Sequence, residues 1–316
     1  MASNENCVIR MGGLGDLAIL SSSLLALKQK EPHRNLVLGT RLENMELLAG
    51  ADYLSRVIFF EDADKEEWFR IYDCRWGVEP PNIGPGRTSW ENYTQRDRSD
   101  IFDDLLGIRN GHKRFSIPVD SVSLERVENI LKEANPLQSH LIGLSPTSKS
   151  PVRCMPPEYV QPLAEQLVKE WGPVVLFGKT PGWCEHLREI KGRWIINLID
   201  RLNIKEVVAL VSLMEVVISP DTGIYHVAAA LEKKTLVLFG NIHPKTRITY
   251  YPTVKALYPT NFYTPKELSG QLLPCNPFPC WDVPFACSGI EPGQFGAHCM
   301  RLLTPGRIMA ALKELI

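Results

Sequence analysis

Glu215 to Gly240, EVVISPDTGIYHVAAALEKKTLVLFG, is the stretch whose reading decides the fold. VVIS is a β-branched run of strand length, Pro220-Asp221-Thr222-Gly223 is a turn carrying a helix cap, IYHVAAALEKK reads as a helix and TLVLFG as the next strand. A strand that ends at such a turn leaves the first N–H groups of the following helix at the carboxyl edge of a parallel sheet. Those donors, with the positive end of the helix dipole, suit a diphosphate. Gly223 admits a ligand close to the backbone, and His226 lies one turn further on. Taken alone, the same stretch reads more readily as a helix merely capped by Asp221 or Thr222, with His226 in the core.

Working outward, the rhythm repeats on both sides. Towards the N-terminus, CVIRM is a strand, Gly12-Gly13-Leu14-Gly15-Asp16 a turn, and LAILSSSLLALKQK a helix. NLVLGT is a strand, RLENMELLAG a helix, and RVIFFE and WFRIYDCRW are strands. Between Gly77 and Gly111 the pattern loosens: EPPNIGPGRTSW is too rich in Pro and Gly for a regular element. ENYTQRDRSDIFDDLLGI then reads as a charged helix, and SVSLERVENILKEANP as another. HLIGLSPTS is a strand with its loop, PPEYVQPLAEQLVKEW a helix, PVVLFG a strand, WCEHLREIKG a helix, WIINLID a strand and IKEVVALVSLME a helix. PGRIMAALKELI closes the chain as a helix. Strands alternating with helices imply parallel sheets covered on both faces. The pattern divides into residues 1–138 and 139–316, two Rossmann-like α/β domains expected to face each other across a cleft for a nucleotide-bearing ligand.

The 316 residues are 44% hydrophobic and 22% charged, enough for two cores. The net charge of −1 gives no global field towards nucleic acid or an anionic membrane, so an anionic partner needs a local cluster of cations. No apolar run reaches the roughly 18 residues of a spanning helix, and MASNENCVIRMGG shows no signal segment. The cytoplasm is the expected compartment. Of eight cysteines, Cys275, Cys280, Cys287 and Cys299 crowd one Pro-rich stretch. Four thiolates are enough for a structural zinc ion, but paired C-x-x-C knuckles are missing, and a crosslinked or merely clustered loop is equally compatible.

The spacing Gly13, Gly15, Ala18 satisfies the dinucleotide fingerprint G-x-G-x-x-A, and Arg41 at the end of the second strand suits a 2′-phosphate, so an NADP-dependent oxidoreductase is one reading. It leaves Asp16 at the helix mouth and the second nucleotide-like unit unexplained. Four blocks in order point elsewhere: GGLGD with its leucine-rich helix, SPTSK…RCMPPEYVQPLAEQL, VVLFG…INLIDRLNIKEVVALVSLMEVVIS, and DTGIYHVAAALEKKTLVLFGNIHP. Together they resemble the ADP-heptose:lipopolysaccharide heptosyltransferases of the GT-B glycosyltransferase class. The last block is the most specific, the family's version being Asp-Ser-Gly-x-x-His-x-Ala-Ala and then Phe-Gly-x-x-x-Pro. Residues 77 to 138 lie outside the resemblance.

The resemblance implies an inverting transfer of a heptose-like sugar from a nucleotide-diphosphate donor, ADP-sugar favoured, to an acceptor hydroxyl, with no cofactor required for catalysis. Asp16 takes the place of the family's general base, with Gly12, Gly13 and Gly15 shaping its loop. The family's Lys-x-Trp-Pro motif, whose lysine neutralises the donor diphosphate, falls on Arg153-Cys154-Met155-Pro156; arginine replaces lysine, and Lys149 lies four residues earlier as a second candidate cation. Asp221, Thr222 and Gly223 match the donor loop, and His226 a phosphate or supporting contact. Arg87, Arg96 and Arg98 are candidates for the acceptor, though Glu91, Asp97, Asp100, Asp103 and Asp104 nearly balance them, as on a salt-bridged helix. A glycan such as the lipopolysaccharide core is the favoured acceptor; a small molecule or a modified nucleic-acid base uses the same machinery. A sugar-nucleotide sensor without turnover is a third reading.

Overall fold

Strand β1 (Glu5–Ile9) organises the first unit of the computed structural model, which describes residues 4–78, 95–134, 140–180, 182–240, 242–259 and 297–316. Cys7, Val8 and Ile9 are wholly buried because β1 is covered on both faces and paired on both edges. The sheet runs β3 (Arg56–Phe59), β2 (Asn35–Thr40), β1, β4 (Arg70–Asp73), every pairing parallel. Helix α1 (Leu14–Lys30) follows β1 directly and buries Leu17, Ile19, Leu20, Leu24 and Leu27. Its serines are buried as well, each with a bond to satisfy: Ser21 donates to Ala18 O at 2.7 Å and Ser23 to Asp103 Oδ1 at 2.6 Å.

Ser23 thereby ties α1 to helix α2 (Arg98–Leu106), which ends at Gly107 with φ of 62°, a left-handed cap that glycine adopts at little cost. Lys113, its side chain almost wholly buried, pairs with Asp103 and lies 3.0 Å from Asp100. Tyr250 donates to Asp100 at 3.0 Å, and Asp97 accepts from the Thr249 N–H at 3.2 Å. Through these bonds Lys245–Pro252 belongs to the first unit with Met1–Asp120. RLENMELLAG forms a short 3-10 stretch over Leu42–Leu47, and another follows β3 at Phe60–Lys65.

The second unit, Ser121–Pro244 with Thr253–Ile316, begins with α3 (Ser121–Ala134), the helix that the sequence reading places before its boundary at 138. Its sheet has six parallel strands: β5 (Ile142–Leu144), β6 (Val174–Leu176), β7 (Ile195–Asn197), β8 (Val216–Pro220), β9 (Lys234–Leu238) and β10 (Val254–Leu257). Their order is β10-β9-β8-β5-β6-β7. Chain order therefore reverses at β5, which pairs with β6 on one side and β8 on the other. Helix α4 (Pro157–Trp171) buries Val160, Leu163, Ala164 and Leu167 in the core. Helix α5 (Ile204–Leu213) opens on a reciprocal cap: Asn203 accepts from Glu206 N–H and Glu206 from Asn203 N–H, both at 2.9 Å. Helix α6 (Gly223–Ala230) follows β8, and α7 (His298–Arg301) and α8 (Pro305–Lys313) close the chain. WCEHLREI is 3-10 over Gly182–Glu189, and β10 is a strand that the sequence pattern does not announce. Among the described residues, no helix is long and apolar enough to cross a membrane.

Candidate active site

In the first unit the chemistry gathers at the carboxyl end of β1. Gly13 is the cap of α1 in extended conformation, so Asp16 falls at the third helical position and its Oδ2 reaches back to accept from Gly13 N–H at 3.2 Å. Arg10, the residue after β1, is wholly buried and lies with Nη2 3.1 Å from the same oxygen. Its Nη1 donates to Cys74 O at 3.0 Å and Arg75 O at 2.9 Å, in the loop after β4, and its guanidinium stands 5.5 Å from the Phe102 ring centre. Asp16 Oδ1 accepts from Arg98 Nη1 at 2.5 Å.

Burial pushes the Asp16 carboxyl up, but the charges of Arg10 and Arg98 outweigh it and hold the group well below the ordinary carboxylate range. Asp16 is therefore anionic at neutral pH. Its side chain keeps 13% of its surface exposed. The loop allows no thickening at Gly12, where a Cβ would come within 2.6 Å of Asp16 Cβ and 2.7 Å of Arg10 Nε. Asn44 Nδ2 donates to Gly12 O at 2.9 Å and fixes that loop from the 3-10 stretch after β2.

Of the proposed acceptor arginines, Arg98 lies on Asp16, whereas Arg96 forms a surface pair with Asp104 at 2.8 Å. Arg87 lies outside the described residues. Arg10 was not among the residues singled out from the sequence. Its signal is there nonetheless: one cation ending an apolar strand, two residues before a glycine loop with a carboxylate in it.

In the second unit the loops after β5 and β8 meet the point where strand order reverses, the place where parallel α/β sheets bind their ligands. Thr222 caps α6 with φ −147° and ψ 172°, and its hydroxyl makes no capping bond. Asp221 is buried, and Arg153 Nη1 donates to its carbonyl at 3.0 Å and stands 3.7 Å from its Oδ2. Among the described residues that Oδ2 has no hydrogen-bond partner, nor have the buried hydroxyls of Ser145 and Ser150 in the loop after β5. A buried polar atom without a partner costs about 1–3 kcal/mol, so these three on two adjoining loops call for bound water or another polar group.

The loop that carries Arg153 is held from within: Cys154 Sγ, wholly buried, accepts from Ser148 N–H at 3.1 Å, and Ser148 Oγ accepts from Ser150 N–H at 3.2 Å. Lys149 is exposed and makes no ion pair among the described residues, and of the two candidate cations it is Arg153 that reaches the Asp221 loop. Gly178, with φ of 121°, lets the loop after β6 approach; a Cβ there would sit 3.1 Å from Ser145 Oγ. His226 is buried, its ring 3.8 Å from that of Tyr225.

Cys275, Cys280 and Cys287 lie outside the described residues. Cys299 packs in the second core, close enough to Gly240 that a Cβ there would come within 2.9 Å of its Sγ. Among the described residues no group of three or more His, Cys, Asp or Glu is placed to hold a metal ion.

Two parallel α/β units, one with a clamped carboxylate at its first strand–helix turn and one with a helix opening at its strand-order reversal, are the architecture of the GT-B class. Residues 95–269, more than half of the chain, match the model of glycosyltransferase family 9 (heptosyltransferase), and the chain belongs to that family. It is 30% identical over 111 residues to lipopolysaccharide heptosyltransferase 2 of Salmonella typhimurium, an alignment covering 33% of this chain and 32% of the relative. The matched segment thus spans about a third of that relative's length. Among solved structures, ADP-heptose lps heptosyltransferase II of E. coli superposes with a TM-score of 0.70 at 17% identity, covering 98% of both chains. A family 9 glycosyl transferase from Veillonella parvula gives 0.75 at 13% identity, covering 100% of this chain and 98% of that one. The family match does not favour the NADP-dependent oxidoreductase reading.

Proposed function

We propose that the protein transfers a heptose from ADP-heptose to a hydroxyl of a lipopolysaccharide core, with inversion at the anomeric carbon. The observation that carries this reading is the family match, which spans both Arg98 and the Pro220-Asp221-Thr222-Gly223 loop. Relatives named for ADP-heptose and for lipopolysaccharide support the donor and the acceptor.

In this mechanism the second unit holds the donor. The first-turn amides of α6, the Thr222 hydroxyl and Arg153 bind the diphosphate, and Asp221 Oδ2 accepts from sugar hydroxyls. The acceptor hydroxyl forms the new bond to the anomeric carbon while the bond from that carbon to the diphosphate oxygen breaks. The proton passes to Asp16, and ADP leaves with the electron pair of the broken bond. A carboxylate held below its usual range is a weak base, which bears on when the proton moves. It moves late, once bonding to an oxocarbenium-like carbon has made the acceptor O–H strongly acidic. Charge accumulating on the departing diphosphate meets Arg153 and the helix amides, so the step is proposed to need no metal. Any metal held by the four C-terminal cysteines is proposed to be structural.

The test is ADP release from ADP-heptose, followed by NMR of the product linkage, with a heptose-deficient lipopolysaccharide core as acceptor. Core-dependent ADP release with inverted linkage, unchanged by EDTA, is expected. Release that ignores the acceptor, or retained configuration, contradicts the proposal.

A further inference from the structure

The two oxygens of Asp16 are not equivalent. A carboxylate oxygen offers about two lone-pair positions. Oδ2 has both engaged, by Gly13 N–H at 3.2 Å and by Arg10 at 3.1 Å. Oδ1 has one engaged, by Arg98 at 2.5 Å. Arg10 is immobile, being wholly buried and tied to two backbone carbonyls. Arg98 is the first residue of α2, next to the cap residue Asp97, whose Oδ1 accepts from Ser99 N–H at 2.9 Å and Ser99 Oγ at 2.7 Å. A cation in the first turn opposes the helix dipole, at a cost of about 0.3–1 kcal/mol. An arginine there is poorly explained by helix stability and well explained by its reach to Asp16. Among the described residues, the charged groups that face Asp16 are Arg10 from the end of β1 and Arg98 from α2.

We propose that Arg98 is a positioning residue for the transfer step, and that Oδ1 is the atom that takes the acceptor's proton. This inference rests on the reading of Asp16 as the base. Arg10 fixes one edge of the carboxylate and Arg98 fixes its rotation about the Cβ–Cγ bond, leaving the second lone pair of Oδ1 as the open position. The acceptor O–H lines up on that lone pair, hands over its proton as the new carbon–oxygen bond forms, and finds the guanidinium beside it to keep the carboxylate from swinging away.

The experiment compares Arg98→Gln, Arg98→Lys and Asp16→Asn with the wild type, using ADP-heptose and heptose-deficient core, after thermal melts show which variants are folded. For R98Q the expected kcat is about 10- to 100-fold lower, the usual effect of removing a group that orients a reactive ligand or base. KM for ADP-heptose should stay within about two-fold of wild type, on the same reasoning that ground-state binding is untouched. The acid limb of kcat/KM should move to higher pH, because one of the two charges that lower the Asp16 carboxyl is gone. R98K should restore the position of that limb more fully than it restores kcat, since it returns the charge without the planar fork. An R98Q enzyme with wild-type kcat and an unshifted limb overturns the inference, as does one whose only change is a raised acceptor KM, the mark of a residue that merely binds acceptor.

D16N separates the two levels. An active D16N removes the base itself, whereas an inactive D16N beside a normal R98Q removes only the positioning role. If the wild type fails to turn over ADP-heptose, the proposed donor is wrong, and carboxyl titration by 13C NMR with Asp16→Asn as the assignment still decides. The Asp16 resonance should titrate at higher pH in R98Q than in the wild type, and coincident titrations overturn the clamp.

Discussion

At the residue scale the decisive feature is a carboxylate kept charged and kept still. Asp16→Asn should lower kcat by about 10²- to 10⁴-fold, the usual contribution of a positioned base, while ADP-heptose binding measured by calorimetry stays intact. The same carboxylate carries a stability signature. Folding lowers its pKa from 3.8, so its ion pairs contribute in full above about pH 4 and the contribution is lost as the pH falls further. The gap in melting temperature between wild type and D16N should therefore narrow from pH 7 to pH 3; a constant gap means the arginines do not hold the charge. Asp16 was legible in the sequence because a glycine turn between a strand and a helix exposes few side chains. Its partners were harder to read. Arg98 is 82 residues away in the chain, and only the folded first unit brings it to Oδ1, so from the sequence it stood among the acceptor arginines.

At the element scale, α2 carries Arg98, and Asp97 caps α2. Asp97→Ala should cost about 1 kcal/mol of stability, the typical loss on removing an N-cap side chain, with a fall in kcat as Arg98 loosens. Unchanged kcat in a melt-destabilised D97A separates the cap from the catalysis. Gly12→Ala tests the loop on the other side: the added carbon meets Asp16 and Arg10, so activity should collapse without loss of donor binding. Helices and buried strands were readable from periodicity, as α4 and β8 show. RLENMELLAG and WCEHLREI were not, because short segments of mixed character settle as 3-10 turns where a strand must be joined with few residues. β10 escaped notice because VKAL is half-buried at the sheet edge and shows neither alternation nor an apolar run.

For the whole molecule, the chain returns to the first unit at Lys245–Pro252 through Tyr250–Asp100 and Thr249–Asp97, contacts that link residues about 150 positions apart. No local pattern announces such a return; a contiguous split at 138 is what a linear reading offers. Nearby, Lys113→Met leaves Asp103 buried without its cation and should cost about 3–5 kcal/mol, seen as a lowered denaturant midpoint, whereas replacing both partners by apolar residues should cost far less. The class of the protein, in contrast, was legible from the four ordered blocks, because the loops at strand ends are where chemistry restricts residue choice most. The most direct test of the account is a single turnover of ADP-heptose with heptose-deficient core by wild type and D16N, each at enzyme in excess. The account predicts heptosylated core and stoichiometric ADP from the wild type, with D16N binding donor and slowed by at least about a hundred-fold, as loss of a base requires. Transfer by D16N at the wild-type rate contradicts it.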